Sequence, residues 1–505
     1  MTHTQTETIV EALARHAVVM PAQPAYIDGQ GSLSHAELWT AARRRAAWMF
    51  RQGVRPGEVV ALAFEPDTFS ARRAIENLYA VAYLGAVALP LYPEVPQAAC
   101  VEVMTLLGAQ WLVACGAPPR VAQARSVDPR GFEAVPGNFE VDEAPRGDRR
   151  DGEALYSFTS GTSGFPKALL FTHAQLHDNC LHNSRASGLQ ADDRQISAIP
   201  WPSLVALRYM ICAHVAGGAL VAAGVGETRE EVALTVQRYH VTRLAVSPWQ
   251  LRRLLRGPVP ATPMPPLRSM LVAGAVVSPE EIRAGCEAFE TDVYVGYGCN
   301  EVGAITRMPP GDAAPGCVGG PTPGMEVRVE DARGNSLPPG QSGELAFRSP
   351  WMCTEYVRNP EATRRHFRNG WFYPGDIGCI DQQGNLWLQG RSVDVINCGG
   401  LKIWPEDVEA VLMKHPSIVD AAVAGLPDPM AGQVAAAFVV TSGVLTEQDL
   451  RMFCALQMEA GRIPPHIVVV GSIPRNAAGK ILRQALVDTY LPAIETSRRR
   501  RAGLP

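Results

Sequence analysis

Through about the first 330 residues, short runs of aliphatic and β-branched residues alternate with helical patterns, and this limits the chain to parallel sheets covered by helices. Val59-Val-Ala-Leu-Ala-Phe64 predicts a strand, Phe69 to Leu84 an amphipathic helix, and Ala86-Val-Ala-Leu-Pro90 the next strand. Trp111–Ala114, Arg243–Ser247, Ser269–Ala273 and Asp292–Gly296 repeat the strand pattern. In such sheets ligands sit beyond the carboxyl ends of the strands, where a Gly296-Tyr-Gly loop is expected to fall. From about 317 to 390 the texture becomes Gly-rich and hairpin-like, with turns at Asp331-Ala-Arg-Gly334 and Asp381-Gln-Gln-Gly384. After Arg391 a smaller α+β unit is expected. In it Pro405–Met413 and Glu447–Met458 read as helices, and Ala421–Ala424 and Val434–Val440 as strands. The fold class is α/β: a large N-terminal domain of parallel-rich, helix-covered sheets with a β-rich subdomain (1–390), then a small α+β domain (391–505). The boundary is placed within Leu388–Val393.

Composition narrows the function classes. At 505 residues, with 47% hydrophobic and 19% charged residues, the chain reads as an ordinary globular protein of several domain-sized units. A net charge of −4 gives no reason to expect nucleic acid as a partner. The run Arg498–Arg501 reads as a solvated, frayed tail, or as a patch attracting an acidic partner. Eleven cysteines stand singly, with no Cys-x2-Cys pair, which suggests reduced thiols and a cytoplasmic setting. The start, Met1-Thr-His-Thr-Gln-Thr-Glu7, has no secretory pattern. The most apolar run, Tyr209 to Gly226, contains His214, follows Arg208, and reads as a buried helix plus strand, with no membrane span.

The stretch Ser157-Phe-Thr-Ser-Gly-Thr-Ser-Gly-Phe-Pro-Lys-Ala168 carries the chemistry. Thr159, Ser160, Thr162 and Ser163 offer hydroxyls, Gly161 and Gly164 allow close backbone approach, and Lys167 adds a cation. Together they suit phosphate oxygens. No Gly-x4-Gly-Lys-Ser/Thr is present, so this is not a Walker A loop.

That spacing resembles the phosphate loop of the adenylate-forming superfamily: acyl- and aryl-CoA synthetases, peptide-synthetase adenylation domains and luciferases. Further segments resemble the family's motifs in its order: Gly296-Tyr-Gly-Cys-Asn-Glu301, Gly370-Trp-Phe-Tyr-Pro-Gly-Asp376, Gly390-Arg391 with Gly399-Gly400, and Pro474-Arg-Asn-Ala-Ala-Gly-Lys480. Near the front, Gly85-Ala-Val-Ala-Leu-Pro-Leu-Tyr-Pro93 extends the likeness over essentially the whole chain.

The resemblance implies that a carboxylate attacks the α-phosphate of ATP and that the acyl-adenylate then passes to a thiol. It implies that residues 159–167 hold the β- and γ-phosphates, that Gly274 and Asn300 line the nucleotide site, and that Glu301 ligates Mg²⁺. Tyr297 would stack on adenine, although plain core packing is the alternative. Asp376 would accept from the ribose hydroxyls and Arg391 would bind near the ribose and α-phosphate. Lys480 would lie between the attacking carboxylate and the α-phosphate. The small domain would be mobile, presenting Gly399 and Gly400 to a pantetheine thiol in a tunnel too narrow for side chains. Three departures stand out: Asn300 replaces the usual Thr, Val393 stands where the hinge Asp or Lys is usual, and Glu355-Tyr356 replaces Gly-Tyr.

By the same likeness, Trp201, Ser203 and Gly296 would line the acid pocket. Between Ile196 and Gly226 there is no Asp or Glu, which argues against an α-amino acid, since a buried ammonium without a counter-charge is costly. An aromatic or aliphatic acid is expected. Arg208 pairs structurally or recognises a second carboxylate. The implied function is an ATP- and Mg²⁺-dependent acid–CoA ligase. A ligase loading a free-standing carrier protein's phosphopantetheine is the runner-up, and a degenerate nucleotide- or acyl-binding protein is the alternative of another class.

Overall fold

The computed structural model describes residues 7–63, 68–91, 97–114, 124–127, 132, 146–159, 167–198, 204–274, 277–311, 314–391, 394–399, 401–428, 430–476 and 479–501. One sheet has six strands in the order Arg125–Val127, Trp111–Ala114, Val59–Ala63, Val87–Leu91, Glu153–Thr159 and Lys167–Thr172. All neighbours are parallel except the last pair, an antiparallel hairpin. Val60, Leu62 and Ala88 belong to one core cluster, while Val59, Ala61, Val87 and Leu89 belong to another. Successive side chains point to opposite faces of a strand, so this sheet is buried on both faces. The helix Thr68–Leu84 packs on it, as the sequence pattern predicts.

The larger sheet has a parallel part, in the order Pro24–Asp28, Ala219–Val221, Arg194–Ser197, Arg243–Val246, Ser269–Ala273 and Val293–Cys299. The segment around Gly296 corrects the sequence reading. It is strand, not loop: Val293–Cys299 continues past its last parallel pair, Ala273 with Gly296, by pairing antiparallel with Gly303–Met308. A register shift between Tyr297 and Gly298 bends the ribbon there. Tyr297 is thus the first residue beyond the carboxyl end of the parallel sheet. The antiparallel strands Cys317–Pro321, Leu386–Arg391, Asp376–Ile380 and Gly343–Arg348 continue the same sheet, and Asp376 pairs with Arg391 across it.

After Arg391 a separate sheet begins, with Leu401–Ile403, Ile396–Cys398, Gly432–Thr441 and Ile418–Asp428 in order and His466–Val469 parallel to Gly432–Thr441. The two long strands run further than their sequence patterns suggest, up to a turn in which Asp428 accepts the Met430 and Ala431 amides. The helix Glu447–Ala455 is shorter than expected, and beyond buried Cys454 the next large apolar residue, Leu456, is 83% exposed and does not hold a further turn against the core. A helix spans Arg483–Arg501, in place of the frayed tail expected at 498–501. Leu486 and Ile494 bury one side of it against Phe438, and arginine is a good helix former near a C-terminus.

Among the described residues, the contacts between the small unit and the large one include the following. The Arg256 guanidinium donates to the main-chain carbonyls of Val419 and of Ile418 (3.0 Å). A Cβ on Gly479 would lie 3.2 Å from Ser247 Oγ. Gly390, at φ +143°, has Trp404 so close that a Cβ would meet its ring at 2.7 Å.

The most apolar run forms the helix Leu204–Ala216 and the strand Ala219–Val221, both buried. Among the described residues no helix is long and apolar enough to cross a membrane. Its C-terminal carbonyls, orphaned by helix geometry, are taken by histidines from the N-terminal helices: His16 Nε2 to Val215 (3.1 Å) and His35 Nε2 to Gly217 (2.9 Å). His214 Nε2 donates to Ala25 (2.8 Å) while its Nδ1 accepts from Tyr79 (2.8 Å). Burial pushes His16 down, His35 down to about 4 and His214 down to about 3. These rings are neutral in the fold, whereas in the unfolded chain they take up protons below their ordinary value of 6.5. The unfolded state therefore binds more protons, and stability falls as pH drops from 6.5 toward 4. Thermal melts should show this loss, and His35→Gln should flatten its slope by about 1.4 kcal/mol per pH unit.

Candidate active site

The phosphate-type stretch is the loop of the hairpin formed by Glu153–Thr159 and Lys167–Thr172, with Thr159 and Lys167 paired across its mouth. Ser160, Gly161, Thr162, Ser163 and Gly164 lie outside the described residues. The Lys167 ammonium is 3.0 Å from His366 Nε2 and 4.7 Å above the centre of the Tyr356 ring. Burial lowers its pKa; Glu301 opposes that, and Arg365 and Arg391 reinforce it.

Glu301 lies in the turn joining Val293–Cys299 to Gly303–Met308, and it is 6% exposed. Every residue of this turn is tethered. Arg208 donates to the carbonyls of Asn300 (2.9 Å) and Cys299 (3.5 Å). Asn300 Nδ2 donates to the Phe158 carbonyl at the base of the hairpin loop (3.1 Å). The Cys353 amide donates to the Glu301 carbonyl (2.9 Å), and Trp351 and Asn179 both reach the Val302 carbonyl (3.2 Å each). The Tyr356 hydroxyl donates to Glu301 Oε1 at 2.6 Å. Burial and this carboxylate push the Tyr356 phenol up, so it stays a donor.

The Tyr297 hydroxyl donates to Asp376 Oδ2, and Asp376 Oδ1 lies 3.2 Å from Arg391 Nε. The Tyr297 ring also leans on Phe347, with centroids 5.9 Å apart and planes at 60°. Burial, and then Asp376, holds the Tyr297 phenol well above its usual range. Burial works against the Arg391 charge, but Asp376 and Asp394 more than offset it, and its pKa is raised. Both Asp376 oxygens have protein partners, yet a carboxylate offers about four lone-pair sites and can still accept from a ligand.

Lys480 comes from the small unit and interacts electrostatically with Arg391, Asp394 and Asp376 of this cluster. Asn476 holds its backbone, through Oδ1 to the Lys480 amide (2.9 Å) and its own amide to the Lys480 carbonyl (2.9 Å). Burial, reinforced by Arg391, lowers Lys480 to about 8. Gly274 closes the strand Ser269–Ala273 at φ +105°, a conformation suited to glycine. A Cβ on Gly296 would press on Leu271 at 3.2 Å. For Gly399 no crowding is present, since a Cβ would meet nothing within 4 Å; its φ of +58° is what favours glycine here. Gly400, Val393, Trp201 and Ser203 lie outside the described residues.

Arg208 is buried, with its guanidinium 4.9 Å from the centre of the Phe171 ring and its donors on the Cys299 and Asn300 carbonyls. Of the two readings of this arginine, the structural pairing describes its contacts. Tyr356 and His366 were missed as site residues. Tyr356 had a sequence signal, its place in the Glu355-Tyr356 departure, while His366 had none.

Among the described residues no group of three or more His, Cys, Asp or Glu could hold a metal ion by itself. A single buried carboxylate, Glu301, fits a nucleotide-borne Mg²⁺, which needs one or two carboxylates and draws its other ligands from phosphates and water.

The chain belongs to the AMP-binding enzyme family, whose model matches residues 13–357, with the family's C-terminal domain matched at 407–480. It is 28% identical over 482 residues to a 2-succinylbenzoate–CoA ligase of Geobacillus sp. (strain WCH70), covering 94% of this chain and 96% of that one. It is 29% identical to the long-chain-fatty-acid–CoA ligase FadD13 of Mycobacterium tuberculosis (95% and 97% covered). To the fatty acid–[acyl-carrier-protein] ligase ScoC of Streptomyces coeruleorubidus it is 27% identical (97% of each). Its fold matches ATP-bound MatB from Rhodopseudomonas palustris with a TM-score of 0.85 at 25% identity, covering 95% of this chain and 99% of MatB.

The Lys480 value predicts a pH profile. The ammonium is lost as pH rises through about 8; if its charge is used on ATP, kcat/KM for ATP in the acid-dependent pyrophosphate release should fall above that pH. Lys480→Arg, which cannot lose its charge in this range, should remove the alkaline limb at whatever rate it retains.

Proposed function

We propose that this protein is an ATP- and Mg²⁺-dependent ligase that joins a carboxylic acid without an α-amino group to CoA through an acyl-adenylate. One observation carries the reading: side chains from separate sequence motifs, Tyr297, Glu301, Asp376 and Arg391 of the large unit and Lys480 of the small one, form one charged cluster beside Lys167. Full-length similarity to acid–CoA ligases supports the reaction class.

The first step brings one anion up to another. The carboxylate oxygen attacks the α-phosphorus, the bond to the bridging oxygen of pyrophosphate breaks, and pyrophosphate leaves with the electron pair. Cations preorganised in a site shielded from water lower this barrier. Lys480 and Arg391 would flank the α-phosphate, and Lys167 with residues 159–164 would hold the leaving phosphates. Mg²⁺ held at Glu301 would offset charge on pyrophosphate. Asp376 would bind the ribose, with Tyr297 against the adenine. In the second step a thiol sulfur attacks the acyl carbon, AMP departs, and the thiol proton is released.

Residues 1–390 and 391–505 are read as the two domains, and the second must swing to withdraw Lys480 and bring Gly399-Gly400 to the thiol. The contacts of Arg256, Gly479 and Gly390 belong to the adenylate-forming arrangement in this reading. The protein is assigned to the cytoplasm, where ATP and CoA are available.

A second acceptor, the phosphopantetheine of a free-standing carrier protein, is favoured by the similarity to ScoC over nearly its whole length. The degenerate-binder alternative fits poorly with a full set of Lys480, Glu301, Asp376 and Arg391.

Pyrophosphate release should be measured over aryl, short-, medium- and long-chain acids, with and without CoA. Release that one acid class elicits and CoA accelerates is expected; slow, CoA-indifferent release would shift the acceptor to a carrier protein. Silence across the panel with ATP binding intact would overturn the ligase reading. Lys480→Ala should reduce adenylate formation by at least about a hundredfold, the scale of losing one transition-state charge contact. It should leave thioester formation from supplied acyl-adenylate largely intact, and equal loss of both half-reactions would refute that role.

A further inference from the structure

His366 closes the short helix Pro360–His366 and reaches across to the strand that carries Lys167. Its Nδ1 lies 2.8 Å from the Tyr373 carbonyl, which can only accept, so Nδ1 carries the proton. Nε2 is therefore a bare acceptor, and it faces the Lys167 ammonium at 3.0 Å. The ring is held on its flanks by Tyr356, edge to face at 5.8 Å, and by Phe372, stacked at 6.3 Å. Burial keeps the imidazole neutral by lowering its pKa. The Tyr373 carbonyl and Glu301 pull the other way, while Lys167 and Arg365 add to the fall.

This arrangement answers a physical problem. A lysine side chain has much rotamer entropy to lose, and its ammonium is a point charge with no orientation of its own. A phosphate-binding lysine left loose would be ordered by the nucleotide at the expense of affinity. Here the ammonium is already held, between the His366 acceptor and the Tyr356 ring face, and an ammonium has three donors, of which His366 takes one. A carboxylate in place of His366 would also hold Lys167, but it would cancel the charge that phosphate needs. A neutral imidazole locked in one tautomer holds the cation and leaves its charge intact.

We propose that His366 is a positioning residue for ATP: through its Nε2 lone pair it fixes the Lys167 ammonium over Tyr356 in advance of nucleotide binding. The proposal rests on the ligase reading, in which Lys167 meets the β- and γ-phosphates. His366 itself touches no reacting atom.

The test is a double-mutant cycle on MgATP affinity in the full-length protein, measured by isothermal titration calorimetry without any acid substrate. His366→Leu, with folding checked by its melting transition, should weaken MgATP binding about tenfold. His366→Gln, whose side-chain oxygen can accept from Lys167, should recover most of that loss. In a Lys167→Ala background, His366→Leu should have no further effect beyond about twofold, because the partner it acts through is gone. Equal weakening by the Leu and Gln variants, or an undiminished effect of His366→Leu without Lys167, would overturn the proposal and leave the ring as packing only. Failure of the wild-type protein to bind MgATP would instead overturn the ligase reading, and this inference with it.

Discussion

The site depends on how firmly the turn 299–302 is held. A carboxylate 6% exposed at the end of a strand is electrostatically expensive, and besides the Tyr356 hydroxyl that donates to it, a firmly tied backbone keeps it from moving out to water. Arg208, Asn179, Trp351 and Cys353 bind that backbone from three other segments of the chain, and Asn300 of the turn itself reaches out to the Phe158 carbonyl. Because Asn300 ties to the Phe158 carbonyl, the turn also fixes the root of the hairpin loop that bears Lys167. Glu301 and Lys167 are therefore parts of one mechanical unit. Breaking any single tether leaves a buried carbonyl or amide without its partner, which costs on the order of 1–3 kcal/mol.

The second organising element is the register between Asp376 and Arg391. Cross-strand pairing sets the acid and the base side by side before any ligand arrives, and Tyr297 completes the group from the adjoining half of the sheet. The sheet's change from parallel to antiparallel at Gly296 is what lets one strand contribute both Tyr297 and, a turn later, Glu301. A purely parallel strand would have had to leave the sheet at that point.

Much of this was legible in the sequence, and the rest was not for a definable reason. Lys167, Glu301, Asp376, Arg391 and Lys480 stand in Gly- and Pro-bearing stretches whose local spacing is itself the signal. The strand–helix alternation gave Val59–Ala63, Trp111–Ala114 and Ser269–Ala273 because their burial on two faces is written in consecutive residues. The loop expected at Gly296 turned out to be strand, because an antiparallel partner downstream supplies hydrogen bonds that a local reading cannot see. His366 and Lys167 are 199 residues apart, and Arg208 meets a carbonyl 92 residues on. Such pairs leave no periodicity and no local pattern. The histidines that cap the C-terminal end of the helix Leu204–Ala216 are of the same kind, since His16 and His35 meet carbonyls close to 200 residues away.

The grip of Arg256 on the small unit falls on carbonyls where the strand Ile418–Asp428 slips register against its neighbour, between Ile418 and Asp420. That slip takes main-chain acceptors out of the sheet and offers them outward. A latch made of a cation and neutral backbone oxygens has a particular merit if, as proposed, the small unit lets go on every catalytic cycle. On release, water takes over each acceptor at little cost, and no unpaired negative charge is stranded on either surface. Contact of this kind also reads no side chain, so it puts no demand on exposed Val419, while Ile418 is held by its own place in the core of the small unit. The fastening is cheap to undo and hard to mutate away from the side that receives it.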